Sequence, residues 1–292
     1  MSQVKNYLSL VKFSHTIFAL PFAMIGFSLG AAALYHGGGI DTSQLLIKLL
    51  LVLVCMVTAR SAAMAFNRYL DRHFDALNPR TAIREIPKGI ISAGSALKFT
   101  IVNCVVFMVA TLLINPICLV LSPVALFVIL FYSYTKRFTP LCHLVLGLGL
   151  SLAPIGAYLA LTGVFSLLPI LFSLAVITWV SGFDIIYAMQ DIDFDRTQQL
   201  HSIPTAMGGR GALRTSELLH LLSTAFVVYA GIYGHFSYLY WVGIAVFIGM
   251  LIYQHLLVKP TDLSRVNIAF MTANGIASVV FGCLVILDII LL

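Results

Sequence analysis

The stretch Leu45-Leu46-Ile47-Lys48-Leu49-Leu50-Leu51-Val52-Leu53-Val54-Cys55-Met56-Val57-Thr58-Ala59-Arg60-Ser61-Ala62-Ala63-Met64-Ala65-Phe66, running straight into Asn67-Arg68-Tyr69-Leu70-Asp71-Arg72-His73-Phe74-Asp75, decides the fold. Its apolar part matches the roughly 20 residues that cross a bilayer as a helix. The polar tail marks where that helix leaves the hydrocarbon. A second acidic set, Asp191-Ile192-Asp193-Phe194-Asp195, closes another apolar stretch in a chain that is only 10% charged. Carboxylates beside hydrocarbon are costly and usually have a job. Spacing of i, i+4 stacks each set on one helix face. Carboxylate and amide oxygens suit Mg2+, which shares its coordination shell with substrate phosphates. The expectation is a site for a diphosphate carried on a lipid.

The rest of the chain agrees with a membrane setting. Its 292 residues are 60% hydrophobic with a mean hydropathy of +1.01, more apolar surface than a soluble domain of this length could hide. The formal charge of +6 reads as membrane topology rather than as a nucleic-acid surface, because placement of Lys and Arg matters more than their sum in such a chain. Five cysteines without a C-x-x-C pair read as small buried hydrophobes. A secretory signal ending at Ala31-Ala32-Ala33 is the lesser reading of the amino-terminal segment, since Ser14, His15 and Pro21 interrupt it.

Nine spans are predicted, near 16–35, 45–66, 97–114, 117–134, 143–162, 167–189, 216–234, 238–257 and 267–290, the third and fourth meeting at a tight Asn115-Pro116 turn. The result is an all-α polytopic membrane bundle forming one domain over 1–292, because no alternating strands of barrel type occur. With the amino terminus in the cytoplasm, nearly every Lys and Arg falls on that side. The opposite connections 36–44, 163–166 and 235–237 carry none. This predicts a carboxyl terminus on the opposite face and both acidic sets at the cytoplasmic boundary. The two long connections 76–96 and 196–215 each follow an acidic set and carry basic, small-residue segments, a weak repeat suggesting two similar half-sites.

Loss of diphosphate from an allylic lipid leaves a carbocation and a strongly negative leaving group, which metal ions and cationic side chains stabilise. Lys136 and Arg137, at the inner end of the fourth span, are candidate diphosphate contacts, ordinary positive-inside anchoring being the plainer reading. The plainer reading of the carboxylates is a solvated face paired with Arg72 or Arg196. A transporter or lipid-binding protein is a different class, although transporters tend to hold their ionic sites near the midplane.

The string Asn67-Arg68-Tyr69-Leu70-Asp71-Arg72-His73-Phe74-Asp75-Ala76-Leu77-Asn78-Pro79-Arg80-Thr81, followed by Tyr187-Ala188-Met189-Gln190-Asp191-Ile192-Asp193-Phe194-Asp195, resembles the intramembrane aromatic prenyltransferases of the UbiA superfamily. Lys12-Phe13-Ser14-His15-Thr16-Ile17-Phe18-Ala19-Leu20-Pro21 and Tyr134-Thr135-Lys136-Arg137-Phe138-Thr139 resemble its 4-hydroxybenzoate polyprenyltransferase branch. The resemblance implies nine helices around a central cavity, with Mg2+ held by Asn67, Asp71, Asp75, Asp191 and Asp195 at a cytoplasmic metal–diphosphate site. It also implies Lys136 and Arg137 on the diphosphate, and transfer of a polyprenyl group to a ring carbon of 4-hydroxybenzoate in quinone biosynthesis. The partners would be a polyprenyl diphosphate, a small aromatic acid and the bilayer, with no nucleic acid, in a bacterial inner membrane. A naphthoate-type acceptor of menaquinone biosynthesis stays open.

Two charges lie inside spans. Arg60 stands seven residues before Asn67, and Asp184 seven before Asp191. Each therefore projects on roughly its motif's face, about 10 Å deeper in the membrane. They read either as a structural ion pair, or separate polar partners, or as the border of an acceptor pocket, Arg60 attracting a carboxylate and Asp184 engaging a ring hydroxyl. His15, His73 and His201 lack a partner at metal-ligand spacing and read as hydrogen-bonding or interface residues. Phe131, Tyr132, Tyr134 and Phe138 read as interfacial anchors or as part of a prenyl tunnel.

Overall fold

A segment in hydrocarbon must satisfy its own backbone, and this chain does so with helices. The computed structural model describes residues 3–12, 18–36, 39 and 41–292, and no strand occurs among them. The helices are α1 (Gln3–Leu10), α2 (Leu20–His36), α3 (Thr42–Leu70), α4 (Arg72–Leu77), α5 (Ala93–Ile114) and α6 (Pro116–Thr135). There follow α7 (Cys142–Thr162), α8 (Leu167–Ala188), α9 (Ile192–Thr197), α10 (Ile203–Tyr233), α11 (Tyr238–Leu257) and α12 (Asn274–Leu291). A 3-10 turn, Met189–Asp191, links α8 to α9, and a π-helical turn, Ile268–Ala273, leads into α12.

Among the described residues, eight helices are long and apolar enough to cross a membrane, against nine predicted. The remaining apolar helix is α2, whose 17 residues rise about 26 Å, short of a hydrocarbon core of about 30 Å. The predicted start of that span and His15 fall on 13–17, outside the described residues. The predicted 216–234 span is too short, because α10 begins at Ile203 and absorbs most of the expected 196–215 loop. Ser202 caps it, accepting from Thr205 N while the Thr205 hydroxyl accepts from Ser202 N, and Pro204 fits the first turn. Gly208, at φ 70°, puts a kink there that only glycine takes without strain. The Asn115-Pro116 turn is tight as expected: the Asn115 side chain accepts from Cys118 N and donates to Leu159 O across the bundle.

The helix at the centre is α8, with 72% of its most apolar window buried, against 44% or less in the others. Lipid tails are as apolar as leucine, so burial from water does not hold α8 in place; close packing and interhelical hydrogen bonds do. Against α7, a Cβ on Gly147 would sit 2.5 Å from both Ile177 O and Ser181 Oγ. Ser181 also donates to His143 O at 3.0 Å. Against α10, Ser216 donates to Gly182 O and Ser223 to Ala175 O. Trp179, fully buried, packs among Phe22, Phe183 and Phe247 and donates to Asn274 Oδ1 at 2.9 Å.

The two ends of the bundle differ in kind. At one end the α10–α11 turn meets the carboxyl-terminal helix, Asp288 accepting from Ser237 N at 2.7 Å. At the other, α1 is fastened to the α4–α5 connection through Ser9 and Glu85. Reporters fused after Lys88 and after Gly209 are expected on one side of the membrane, and one fused after Leu292 on the other. A carboxyl terminus on the Lys88 side would show that a helix assigned here as crossing the membrane does not.

Candidate active site

The two acidic sets arrive on interrupted helices, not on the continuous ones their spacing suggests. α3 stops at Leu70 and Asp71 forms the joint (φ −89°, ψ 4°) before α4 delivers Asp75. Backbone bonds from Asp71 N to Asn67 O and from Asp75 N to Asp71 O nonetheless keep the i, i+4 face. Asn67 Nδ2 donates to Asp71 Oδ2 at 2.9 Å. On the other side the 3-10 turn ends on Asp191 and α9 presents Asp195.

Asp71, Asp75, Asp191 and Asp195 each meet a cation of their own, whereas Asp193, between the last two, is exposed. Arg137 Nη2 lies 2.9 Å from Asp71, Arg84 Nη1 2.6 Å from Asp75, and Lys136 Nζ 2.8 Å from Asp195. Arg80 holds both oxygens of Asp191, its Nε donating at 3.0 Å to the oxygen that also accepts from Asn78 Nδ2. The expected partners Arg72 and Arg196 take no part: Arg72 turns back to Tyr69 O and the Tyr69 ring, and Arg196 is exposed. Burial pushes the Asp71 carboxyl above its usual range, with Arg137 pulling the other way. Burial disfavours charge on Arg80, but its bonds to Asp191 outweigh that and raise it overall.

The half-sites are not equivalent, contrary to the repeat suggested by sequence. The first acidic set is followed by a loop whose Arg80 crosses to α8, bonding Tyr187 Oη at 3.1 Å as well as Asp191. The second is served by Lys136, from the end of α6, whose carbonyl accepts from His201 N at 2.7 Å. Asn78, Arg80, Arg84 and Tyr187 are thus site residues that the sequence reading did not assign. The Asn78-Pro79-Arg80-Thr81 segment and Arg84 are conspicuous in the sequence, but no spacing rule tells which helix a loop arginine reaches.

Among the described residues, no three Asp, Glu, His or Cys side chains stand close enough together to hold a metal ion. The donor chemistry still fits a hard cation. Asp75 Oδ2 and Asp195 Oδ1 are buried oxygens without a hydrogen-bond donor, and Asp195 is 1% exposed. Such acceptors are costly unless something positive engages them.

Below this layer lies a cavity of about 430 Å³ among α3, α5, α6 and α7, apolar except for a few groups such as Arg60 and Tyr132. Tyr132 lies within electrostatic reach of Arg60, Arg68 and Asp71, linking the cavity to the carboxylate layer. Of the aromatic set, Tyr132 lines the cavity, whereas Phe131, Tyr134 and Phe138 are exposed. Arg60 and Asp184 do not pair with each other. Arg60 donates to Lys12 O at 3.3 Å and keeps a buried, unpartnered Nε, while Asp184 binds His143. His73 and His201 are exposed. The cysteines are free; Cys142 is buried, whereas Cys283 is exposed, so burial does not describe all five.

The family model described as the UbiA prenyltransferase family matches residues 19–276. The chain belongs to the UbiA prenyltransferase family. It is 28% identical over 283 residues to a 4-hydroxybenzoate octaprenyltransferase of Francisella tularensis subsp. novicida (strain U112), covering 96% of each protein. A 4-hydroxybenzoate octaprenyltransferase of Aeromonas hydrophila is 29% identical over 238 residues, 82% of this chain and 83% of that protein. Among solved structures, an apo UbiA homolog from Aeropyrum pernix K1 superposes with a TM-score of 0.82 at 32% identity, over 94% of this chain and 98% of that one. A UbiA homolog from Archaeoglobus fulgidus bound to GPP and Mg2+, at 20% identity and TM-score 0.72 over 97% and 99% of the two chains, shares the fold.

The ion pairs make a stability prediction. Arg80→Ala strands Asp191 and should destabilise the detergent-solubilised protein by about 1–3 kcal/mol, less than the about 3–5 kcal/mol of a fully buried pair because Arg80 is partly exposed. Adding Asp191→Asn should recover part of that loss. Thermal unfolding of the two single variants and the double variant checks it, strictly additive losses contradicting the pairing.

Proposed function

We propose that this protein transfers a polyprenyl group from a polyprenyl diphosphate to a ring carbon of a small aromatic acid, 4-hydroxybenzoate, in quinone biosynthesis. The observation that carries the reading is the layer of four carboxylates and four cations over an apolar cavity, in a chain of this family. The cavity's hydrocarbon walls suit a prenyl chain, and the charged layer suits its diphosphate. The names of the relatives support the acceptor, at 28–29% identity.

Lys136 and Arg137 contact the diphosphate and compensate its charge as it leaves; Arg80 and Arg84 stand beside them in the same layer. Asn67, Asp71, Asp75, Asp191 and Asp195 would hold Mg2+, whose charge would neutralise the leaving group. Arg60, at the cavity wall with an unused buried donor, attracts the carboxylate of the acceptor. Bound this way, the acid's ring lies against the apolar wall rather than in water, which orients it and keeps water from the cationic end of the prenyl chain. The protein would work in a bacterial cytoplasmic membrane with its amino terminus and charged layer in the cytoplasm.

Radiolabelled polyprenyl diphosphate, Mg2+ and a panel of benzoic and naphthoic acids test the reading. Prenylated 4-hydroxybenzoate is expected. Product only from a naphthoic acid would reassign the acceptor, and reversible lipid binding without product would mean a carrier. Asp71→Asn, Asp75→Asn, Asp191→Asn and Asp195→Asn should each lower turnover about 100-fold or more, the scale of a lost electrostatic contact; full turnover by Asp191→Asn would remove that residue from the metal set.

Arg60→Ala should raise the acceptor KM about ten- to a hundredfold, the worth of one charged hydrogen bond, and leave the diphosphate KM within about threefold. Equal change in both constants would return Arg60 to a structural role.

A further inference from the structure

The seam between α10 and α11 carries a second set of cations, apart from the carboxylate layer. Ala212 and Leu213 of α10 share one buried cluster with Val258 and Val266, which bracket the connection out of α11. Arg210 and Arg214 flank the first two of these residues, and Lys259 and Arg265 stand beside the other two. All four cations are exposed, and the ion pairs among the described residues use none of them. Gly209 sets their level: a Cβ there would meet Met189 Cε at 3.4 Å and Pro260 Cβ at 3.5 Å. Met189 is two residues before Asp191, so the patch begins at the edge of the apolar body. Below the cations the same face of α10 turns apolar. Leu218 and Leu221 follow Arg210 and Arg214 at helical spacing and are 58% and 66% exposed. Two carboxylates are near. Asp262 accepts from Ser264 N and Oγ, and Glu217 lies within electrostatic reach of His255.

Clustered cations over exposed leucines are complementary to a molecule with an anionic head and hydrocarbon tails. Ordinary anchoring at a membrane boundary does not require such clustering: Lys88, Lys98 and Arg196 are equally exposed, yet they stand on three separate segments. We propose that Arg210, Arg214, Lys259 and Arg265 bind an anionic phospholipid, its phosphodiester on the four cations and its acyl chains along Leu218 and Leu221. Guanidinium groups match phosphate oxygens two at a time, and the lysine adds a point charge. Each cation beside an anionic lipid is worth about a fivefold gain in affinity. Glu217, one turn below Arg214, repels the phosphate and sets the head toward Arg210 and Lys259. The lipid thereby bridges the start of α10 to the connection that leads into the π-helical turn, whose Phe270 packs on Tyr187. Because only the folded bundle brings the four cations together, binding stabilises it by mass action.

The test compares lipids that differ in headgroup charge. Wild type is purified in a neutral detergent and stripped of lipid. Its unfolding temperature and its native mass are then measured with phosphatidylglycerol, with phosphatidylcholine of the same acyl chains, and with inorganic phosphate. Phosphatidylglycerol should raise the unfolding temperature about 3–6 °C more than phosphatidylcholine, the shift of a site filled at tens of times its Kd, and phosphate should raise it by less than about 1 °C. The variant Arg210→Gln/Arg214→Gln/Lys259→Gln/Arg265→Gln should lose the difference between the lipids, while unfolding in detergent alone within about 3 °C of wild type because the changed side chains are exposed. Glu217→Gln should widen the difference, and the control Lys88→Gln/Lys98→Gln/Arg196→Gln should keep it. Equal shifts from both lipids, a difference that survives the fourfold variant, one lost as fully in the control, or one narrowed by Glu217→Gln overturns the proposal. Phosphate matching the lipid would make this a plain anion site, and a dimer that the fourfold variant dissociates would make it a contact between copies; either result overturns it too. If the fourfold variant does not fold, the pairs Arg210→Gln/Arg214→Gln and Lys259→Gln/Arg265→Gln decide: each should remove about half of the difference, and no loss in either overturns the site.

Discussion

Everything at the charged end of the bundle depends on matching four carboxylates with four cations at the edge of an apolar body. An unpaired buried carboxylate is strongly destabilising, whereas a paired one roughly breaks even. Asp75 and Asp195, 5% and 1% exposed, leave no room for a solvated alternative. The partners come from different parts of the chain: Arg80 and Arg84 from the connection after α4, Lys136 and Arg137 from the end of α6. Pairing therefore fixes loop to helix and helix to helix at once. It also explains why α3 breaks at Asp71, since the joint lets one carboxylate meet Arg137 while the next turn carries Asp75 to Arg84.

The second constraint is the solvent. Between helices in lipid there is no gain from leaving water, so α8 is positioned by fit and by hydroxyl-to-carbonyl bonds. Ser181 ties it to α7, and Ser216 and Ser223 tie it to α10 at Gly182 and, two turns away, at Ala175, and Gly147 removes the side chain that would hold α7 away. A helix held this closely carries Asp184, Tyr187 and Asp191 as a fixed ladder. The charged layer is thus positioned by packing that lies on the other faces of the same helix.

The sequence made the helical class, most span positions and the carboxylates readable, because twenty apolar residues and an i, i+4 acidic pattern are local signals. What it obscured is equally physical. The start of α10 is polar, with Ser202, Thr205, Gly208 and Gly209, and reads as loop until its capping box is seen closed. The shortness of α2 is invisible in composition, since its residues are as apolar as those of the longer helices. Arg80 and Arg84 were visible as a basic segment, yet a loop's reach across the bundle is a tertiary property. Arg60 and Asp184 were legible as intramembrane charges, but their partners were not: Lys12 O and His143 lie 48 and 41 residues away.

Tyr187 shows why the cation layer is more than neutralisation. Arg80 is held twice, by Asp191 and by Tyr187, through the phenolic oxygen at 3.1 Å and through the ring face at 5.4 Å. The Tyr187 ring is in turn backed by Phe270 at 4.3 Å, on the π-helical turn before α12. An arginine bound only to Asp191 would have its position set by that carboxylate alone. Tyr187, itself packed against Phe270, gives Arg80 a second anchor besides Asp191. The π-turn that carries Phe270 is itself supported by Asn274, which donates to Ala269 O and Phe270 O. Through these contacts the turn leading into α12, which contributes no charge to the layer, backs one of its four cations.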